Sequence, residues 1–205
     1  GDVELSYTGH LAEEKRAEYE DQTDARQTEL VTDGVHEVFA QADVSAVKVE
    51  HFDDSEQPLL IRYHIKIPQY AQRTGKRLIF QPLYFERGEA PKFEAAERRN
   101  NIHFDYGWKE VDQVKIHWPD GFALDNAENP GRLNFGPPGY YDLRMQRSDQ
   151  NDLIIGREFI FGQKGFLHFP VEAYLSVKGA FDAIHARDGV SIALKSLPAS
   201  AQGAK

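Results

Sequence analysis

The pattern of apolar and polar positions is clearest between Ile102 and Phe122. Ile102, Phe104, Tyr106 and Trp108 alternate with His103, Asp105 and Gly107, and Val114, Ile116 and Trp118 alternate with Lys115 and His117. Period-two alternation marks strands with one dry and one wet face. The pattern predicts two strands separated by a polar break at Lys109–Gln113, the second ended by the turn residues Pro119-Asp120-Gly121. Leu59, Ile61, Tyr63, Ile65 and Ile67 alternate as strongly, up to Pro68. Further strands are predicted at Val3–Tyr7, Val44–Phe52, Arg77–Phe85 (with Pro82 marking an edge or a bulge), Tyr140–Gln146, Leu153–Phe161 and Val190–Leu194. The Tyr140 and Leu153 strands form a hairpin across the polar loop Ser148–Asp152, and Phe122–Asn134 reads mostly as loop with room for one short strand.

Two stretches carry helical spacing. His10 to about Ala42 is proline-free and rich in helix formers, with Leu30, Val31, Val35, Val38 and Phe39 on one stripe and Gly34 as the expected break. Pro170 suits a first helical turn, followed by Val171, Tyr174, Leu175, Phe181 and Ile184. The expected fold is mainly β (α+β by content): an antiparallel β-sandwich, jelly-roll-like, with an N-terminal helical segment and one C-terminal helix. The expected organisation is a strand/helix/strand segment over 1–57, a sandwich over 58–196 and a flexible tail over 197–205.

Composition narrows the chemistry. Of 205 residues, 40% are apolar and 12% aromatic, enough for a packed core. There is no cysteine, which removes disulfides, thiolate metal sites and thiol nucleophiles. The net charge is −9, distributed as −12 over residues 1–58 and +3 over the rest, so nucleic acid is a poor partner. No apolar run has the length of a membrane span. The chain opens Gly1-Asp2, without an initiator methionine, and reads as a piece of a longer protein.

No nucleophile elbow, phosphate loop or dinucleotide fingerprint occurs. His64, His103 and His117 fall on polar strand faces and could meet on one sheet surface, but no histidine pair has the usual metal-chelating spacing along the chain. Neither a metal nor a cofactor is expected. The run Asp125–Gly131 resembles a calcium loop only faintly, with alanine at a ligand place and its glycine one place late. Trp108 and Trp118 follow the apolar side of their strands and are expected in the core. Tyr140 and Tyr141 are adjacent, so one points inward and the other is a candidate ligand contact; His103 and His117 complete the candidate set for carbohydrate or peptide.

The order of several short motifs resembles the β-rich C-terminal domain of bacterial transglutaminase-like proteins. These are Ser6-Tyr7-Thr8-Gly9 with Arg16, the strand from Pro58-Leu59 to Pro68, Gly75 with Leu78-Ile79-Phe80-Gln81-Pro82, and Phe93 to Arg99. Pro119-Asp120-Gly121, Tyr140 and Tyr141, Arg157, and Pro170 to Tyr174 leading to Phe181 follow. Asn100-Asn101 departs from the pattern, where a proline is expected soon after Arg99. The resemblance implies a non-catalytic accessory domain beside an upstream transglutaminase-like core of the same chain, in a periplasmic or extracytoplasmic protein. The Cys-His-Asp constellation of such a core has no counterpart in a chain without cysteine. Arg99 and Arg157 are expected as structural arginines, paired with acids of the N-terminal helix. A carbohydrate- or peptide-binding module is the alternative, and a hydrolase built on carboxylates or on a Ser-His pair stands behind both.

Overall fold

The computed structural model describes residues 1–148 and 151–198; the expected tail beyond 198 and two positions of the Ser148–Asp152 loop lie outside the described residues. The chain divides into two compact units, Gly1–Tyr70 and Ala71–Lys205.

In the first unit, β1 (Asp2–Tyr7), α1 (Gly9–Tyr19), α2 (Asp24–Val38), β2 (Asp43–Glu50) and β3 (Leu59–Lys66) follow in order. The antiparallel sheet runs β1-β3-β2. Leu59, Ile61, Tyr63 and Ile65 of the central strand are buried, as are Ala12, Tyr19, Val31, Val35 and Phe39 of the helical segment. β3 is therefore part of this unit, and the boundary expected at 57/58 would separate the middle strand from the two strands it pairs with. The helical segment breaks at residues 20–23, not at Gly34. Asp21 takes a positive φ of 59°, and the Thr23 hydroxyl accepts from Arg26 N at 3.3 Å to cap α2. Capping decides the break here, because Gly34 sits in regular helix with open space around its Cα.

The second unit contains β4 (Gln72–Thr74), β5 (Arg77–Phe80), β6 (Ile102–His103), β7 (Trp108–His117), β8 (Phe122–Asn126), β9 (Gly131–Asn134), β10 (Gly139–Arg147), β11 (Asp152–Phe161), β12 (His168–Phe169), α3 (Tyr174–Asp188) and β13 (Ile192–Ser196). Two four-stranded sheets run β7-β11-β10-β9 and β4-β5-β13-β8, and β6 pairs with β12. Every pairing is antiparallel. The fold is mainly antiparallel β with an N-terminal helical segment and one C-terminal helix, the class that the periodicity predicts.

Local differences from the sequence pattern have physical reasons. β5 ends at Phe80, before the buried Pro82, which has no N–H for a ladder. The 122–134 stretch supplies two strands, β8 and β9, where the pattern leaves room for one short strand in a loop. The polar break expected at Lys109–Gln113 does not exist: β7 runs unbroken for ten residues, alternating half-buried and exposed positions throughout.

α3 is held by aromatic packing. The Phe181 ring lies 5.2 Å from Phe161, 5.4 Å from Phe93 and 5.9 Å from both Phe104 and Phe159, centroid to centroid. Offset and edge contacts of this kind add to the burial of the rings themselves. The irregular 93–101 segment is fastened to the same helix, since Tyr174 Oη donates to Ala95 O at 2.5 Å and Lys178 Nζ to Phe93 O at 2.6 Å.

Candidate functional site

The continuous alternation of β7 places Trp108, Glu110, Asp112, Val114 and Ile116 on one face. Two carboxylates therefore point the same way as the apolar side chains, and the register shows what they meet. Arg157 of β11 stands opposite Asp112. Its side chain is 2% exposed, and four carboxylates surround it. Nη1 lies 2.8 Å from Asp112, 2.9 Å from Glu110 and 3.2 Å from Glu86. Nε donates to Asp188 Oδ1 at 2.9 Å and Nη2 to Asp188 Oδ2 at 3.3 Å. Tyr141 of β10 completes the cluster, its hydroxyl donating to Asp188 Oδ1 at 2.6 Å.

One guanidinium charge faces four carboxyl groups, and its Nη1, with two N–H bonds, is shared by three of them. Burial raises Glu110 and Asp112 above the usual carboxylate range, with Arg157 opposing the shift. Glu86 is pushed up to about 8 by burial and by the neighbouring carboxylates, against the pull of Arg157. It holds its proton at neutral pH. Burial alone would lower the arginine; the Asp188 hydrogen bonds and the carboxylate field outweigh it and raise it. Tyr141 is likewise raised, by burial and by Asp188. The cluster joins β7, β10, β11, the 81–87 segment and the last residue of α3 at one point.

The opposite face of the same sheet is different. Tyr140 is half-buried there, its hydroxyl donating to Glu158 at 2.6 Å while the Arg132 guanidinium lies 4.0 Å from its ring centre. Lys109 reaches Glu158 at 2.8 Å, Arg144 reaches Asp142 at 2.7 Å and Lys115 reaches Asp152 at 2.9 Å. The carboxylates of Asp142 and Asp152 lie buried beneath these pairs, and the cationic ends project. Val111 and Ile154 are exposed among them.

The candidate ligand residues do not converge. Tyr141 is fully buried and bonded to Asp188, so it contacts no external ligand, and Tyr140 is the outward one of the pair. His117 sits near one end of the outer face, with Nδ1 2.7 Å from Asp152. His103 belongs to the β6–β12 ribbon, where Nδ1 lies 3.1 Å from Nδ1 of His168. His64 pairs with Asp2 in the first unit, so the three polar-face histidines share no sheet surface. Of the two arginines expected to be buried, Arg99 is exposed. The acids around Arg157 come from β7, the 81–87 segment and α3, and not from the N-terminal helix. Asp125 of the calcium-like run is bound instead to Arg77 at 2.5 Å. Among the described residues no group of three or more His, Cys, Asp or Glu is placed to hold a metal ion.

Sequence reasoning missed Glu86, Glu110, Asp112 and Asp188. The signal for Glu110 and Asp112 was present: carrying the period-two phase of Val114 and Ile116 back to Trp108 puts both on the dry face. Nothing local to Glu86 or Asp188 marks them.

No helix among the described residues is long and apolar enough to cross a membrane. No curated protein and no solved structure matches the chain. A family model matches residues 76–194, within the second unit and including Glu86, Glu110, Asp112, Tyr141, Arg157 and Asp188. Over more than half its length, then, the chain belongs to the family described as "Domain of Unknown Function with solved-structure structure", DUF3858.

Proposed function

We propose that this chain is a non-catalytic accessory domain that supports or positions a transglutaminase-like or cysteine-protease-like catalytic core in a larger, extracytoplasmic protein. The observation that carries the reading is the Arg157 cluster. Its arginine, Asp188 and Tyr141 are buried and bonded to one another, fastening α3 to the four-stranded sheet. Buried ionic networks of this kind perturb carboxyl groups without serving catalysis. The chain has no cysteine, so the Cys-His-Asp chemistry that the resemblance implies would reside in the core. The order of short motifs noted above, most of it within the matched 76–194, supports the assignment to such proteins.

The test compares the larger protein with a form lacking this chain, on peptide-amide and isopeptide substrates, with the isolated chain assayed beside them. An inert isolated chain, together with weakened or misdirected activity of the shortened protein, is the expected result. Turnover by the isolated chain, or unchanged activity without it, overturns the proposal.

The outer sheet face favours a second reading, a carbohydrate- or peptide-binding module. Tyr140 under Arg132, on the face that also exposes Val111 and Ile154, offers an aromatic and cationic surface. On this reading Tyr140→Ala and Arg132→Ala each abolish binding to a glycan or peptide array; an array that stays blank with the wild-type chain removes it.

A further inference from the structure

We propose that His103 and His168 form a two-imidazole site for a borderline divalent transition metal such as Zn²⁺, Ni²⁺ or Cu²⁺. The two residues stand directly opposite each other in the β6–β12 ribbon. Both are exposed. Their neighbours Ile102 and Phe169 point the other way, Ile102 being 2% exposed and Phe169 packing 6.0 Å from Phe161 and 6.1 Å from Phe104. Phe104 N donates to Leu167 O at 3.0 Å and extends the pairing. The inward side chains fix the ribbon, and the ribbon fixes where the two imidazoles emerge.

Two features favour a metal over a plain surface pair. The Nδ1 atoms are 3.1 Å apart. Two nitrogens bound to one ion at about 2.0–2.1 Å lie about 2.9 Å apart at a right angle and about 3.4 Å apart at the tetrahedral angle. The observed separation falls between these limits. Second, Asp105 Oδ1 lies 3.4 Å from His103 Nε2. A carboxylate on that side favours the tautomer with its proton on Nε2, which frees the Nδ1 lone pair for a ligand role, as in carboxylate–histidine–metal arrangements. The rings are stacked at 4.3 Å with 19° between their planes, so their lone pairs run nearly parallel. Binding an ion therefore requires one ring to turn about its χ2, a side-chain motion open to an exposed histidine. Water fills the remaining coordination positions, and imidazole nitrogen selects Zn, Ni and Cu over Mg and Ca. The cross-strand placement explains why no spacing along the chain reveals the site: the ligands are 65 residues apart. A bound ion ties the strand leaving the 93–101 segment to the strand that leads into α3.

The test titrates Ni²⁺ and Zn²⁺ separately into the tag-free chain, read by calorimetry and by thermal unfolding. Binding of one ion per chain with a rise in Tm is expected, because an ion that binds only the folded state stabilises it. His103→Gln and His168→Gln, exposed substitutions that keep a polar side chain, each remove the saturable binding and the Tm rise while leaving the near-ultraviolet circular dichroism unchanged. Asp105→Asn weakens affinity about tenfold. His117→Ala, on a different sheet, leaves binding as in the wild type. Absence of saturable binding in the wild-type chain, or its persistence in either glutamine variant, overturns the proposal.

Discussion

Arg157 Nε and Asp188 Oδ1 lie 2.9 Å apart, and this contact joins an inner strand of the four-stranded sheet to the last residue of α3. Asp188 also takes the Tyr141 hydroxyl at 2.6 Å, so one carboxylate anchors two strands at once. Deleting the arginine leaves buried carboxylates without a cation. Arg157→Met is expected to cost about 3–5 kcal/mol. Tyr141→Phe removes one donor only and is expected to cost about 1–3 kcal/mol. Urea denaturation of the chain checks both, and equal costs would contradict the ranking of arginine over tyrosine.

Glu86 gives the alkaline side of the stability profile. Burial first, and the surrounding carboxylates after it, hold its folded-state pKa near 8. A group whose pKa is raised on folding contributes stability that is complete below its unfolded value and is lost as pH rises through its folded value. From the ordinary 4.5 to about 8 the loss is on the order of 5 kcal/mol. Glu86→Gln, which cannot ionise, is expected to be more stable than the wild type at pH 9 and to flatten the decline between pH 5 and about 8. Denaturation midpoints across that range decide it; parallel profiles for the two proteins would exclude Glu86 as the titrating group.

Asp152 gives the acid side. Hydrogen bonds from Lys115 and His117 hold its carboxyl below the usual range. The sign is the reverse of Glu86: the stability is present above the unfolded carboxylate pKa, about 3.9, and is lost as pH falls through the lower folded value. Asp152→Asn is expected to lower stability at neutral pH and to remove part of the acid dependence below about pH 4. Thermal unfolding between neutral pH and the acid transition checks this, with Lys115→Met expected to show the same flattening to a smaller degree.

The legibility of this chain follows the range of the forces involved. Strands such as β3 and β11 are set by local alternation, and both were readable from Leu59–Ile67 and Leu153–Phe161. β7 was misread because Glu110 and Asp112 are polar residues on an inward face. Their partner, Arg157, lies 45 residues beyond Asp112, and binary patterning assigns charges to the wet side. The domain boundary failed for a related reason: β3 looks like the start of a new run of strands, and only its pairing with β1 and β2 attaches it to the first unit. Tyr140 and Tyr141 were correctly separated into opposite orientations, but alternation alone did not say which was inward. The packing of Tyr141 against Phe159, 6.4 Å between ring centres, and its bond to Asp188 resolve the pair.

Two glycines have opposite roles, and substituting alanine separates them. Gly34 lies within α2, and a Cβ there would meet nothing within 4 Å. Removing glycine from a helix interior narrows the unfolded ensemble and supplies a better helix former, so Gly34→Ala is expected to stabilise by about 1 kcal/mol. Gly139 opens β10 with φ at +150°, and a Cβ there would fall 1.9 Å from the Ile160 carbonyl oxygen. The clash is with backbone, at the point where Gly139 pairs with Phe161, so no side-chain rotation relieves it. Gly139→Ala is expected to cost about 3 kcal/mol or more and to loosen the β10–β11 ladder at that end. Hydrogen exchange gives the second readout: protection at Phe161 and Gln163, whose amide donates to Pro138 O at 3.1 Å, should fall in Gly139→Ala and stay unchanged in Gly34→Ala. Equal protection in the two variants would mean that the end of the hairpin adjusts to a side chain at Gly139.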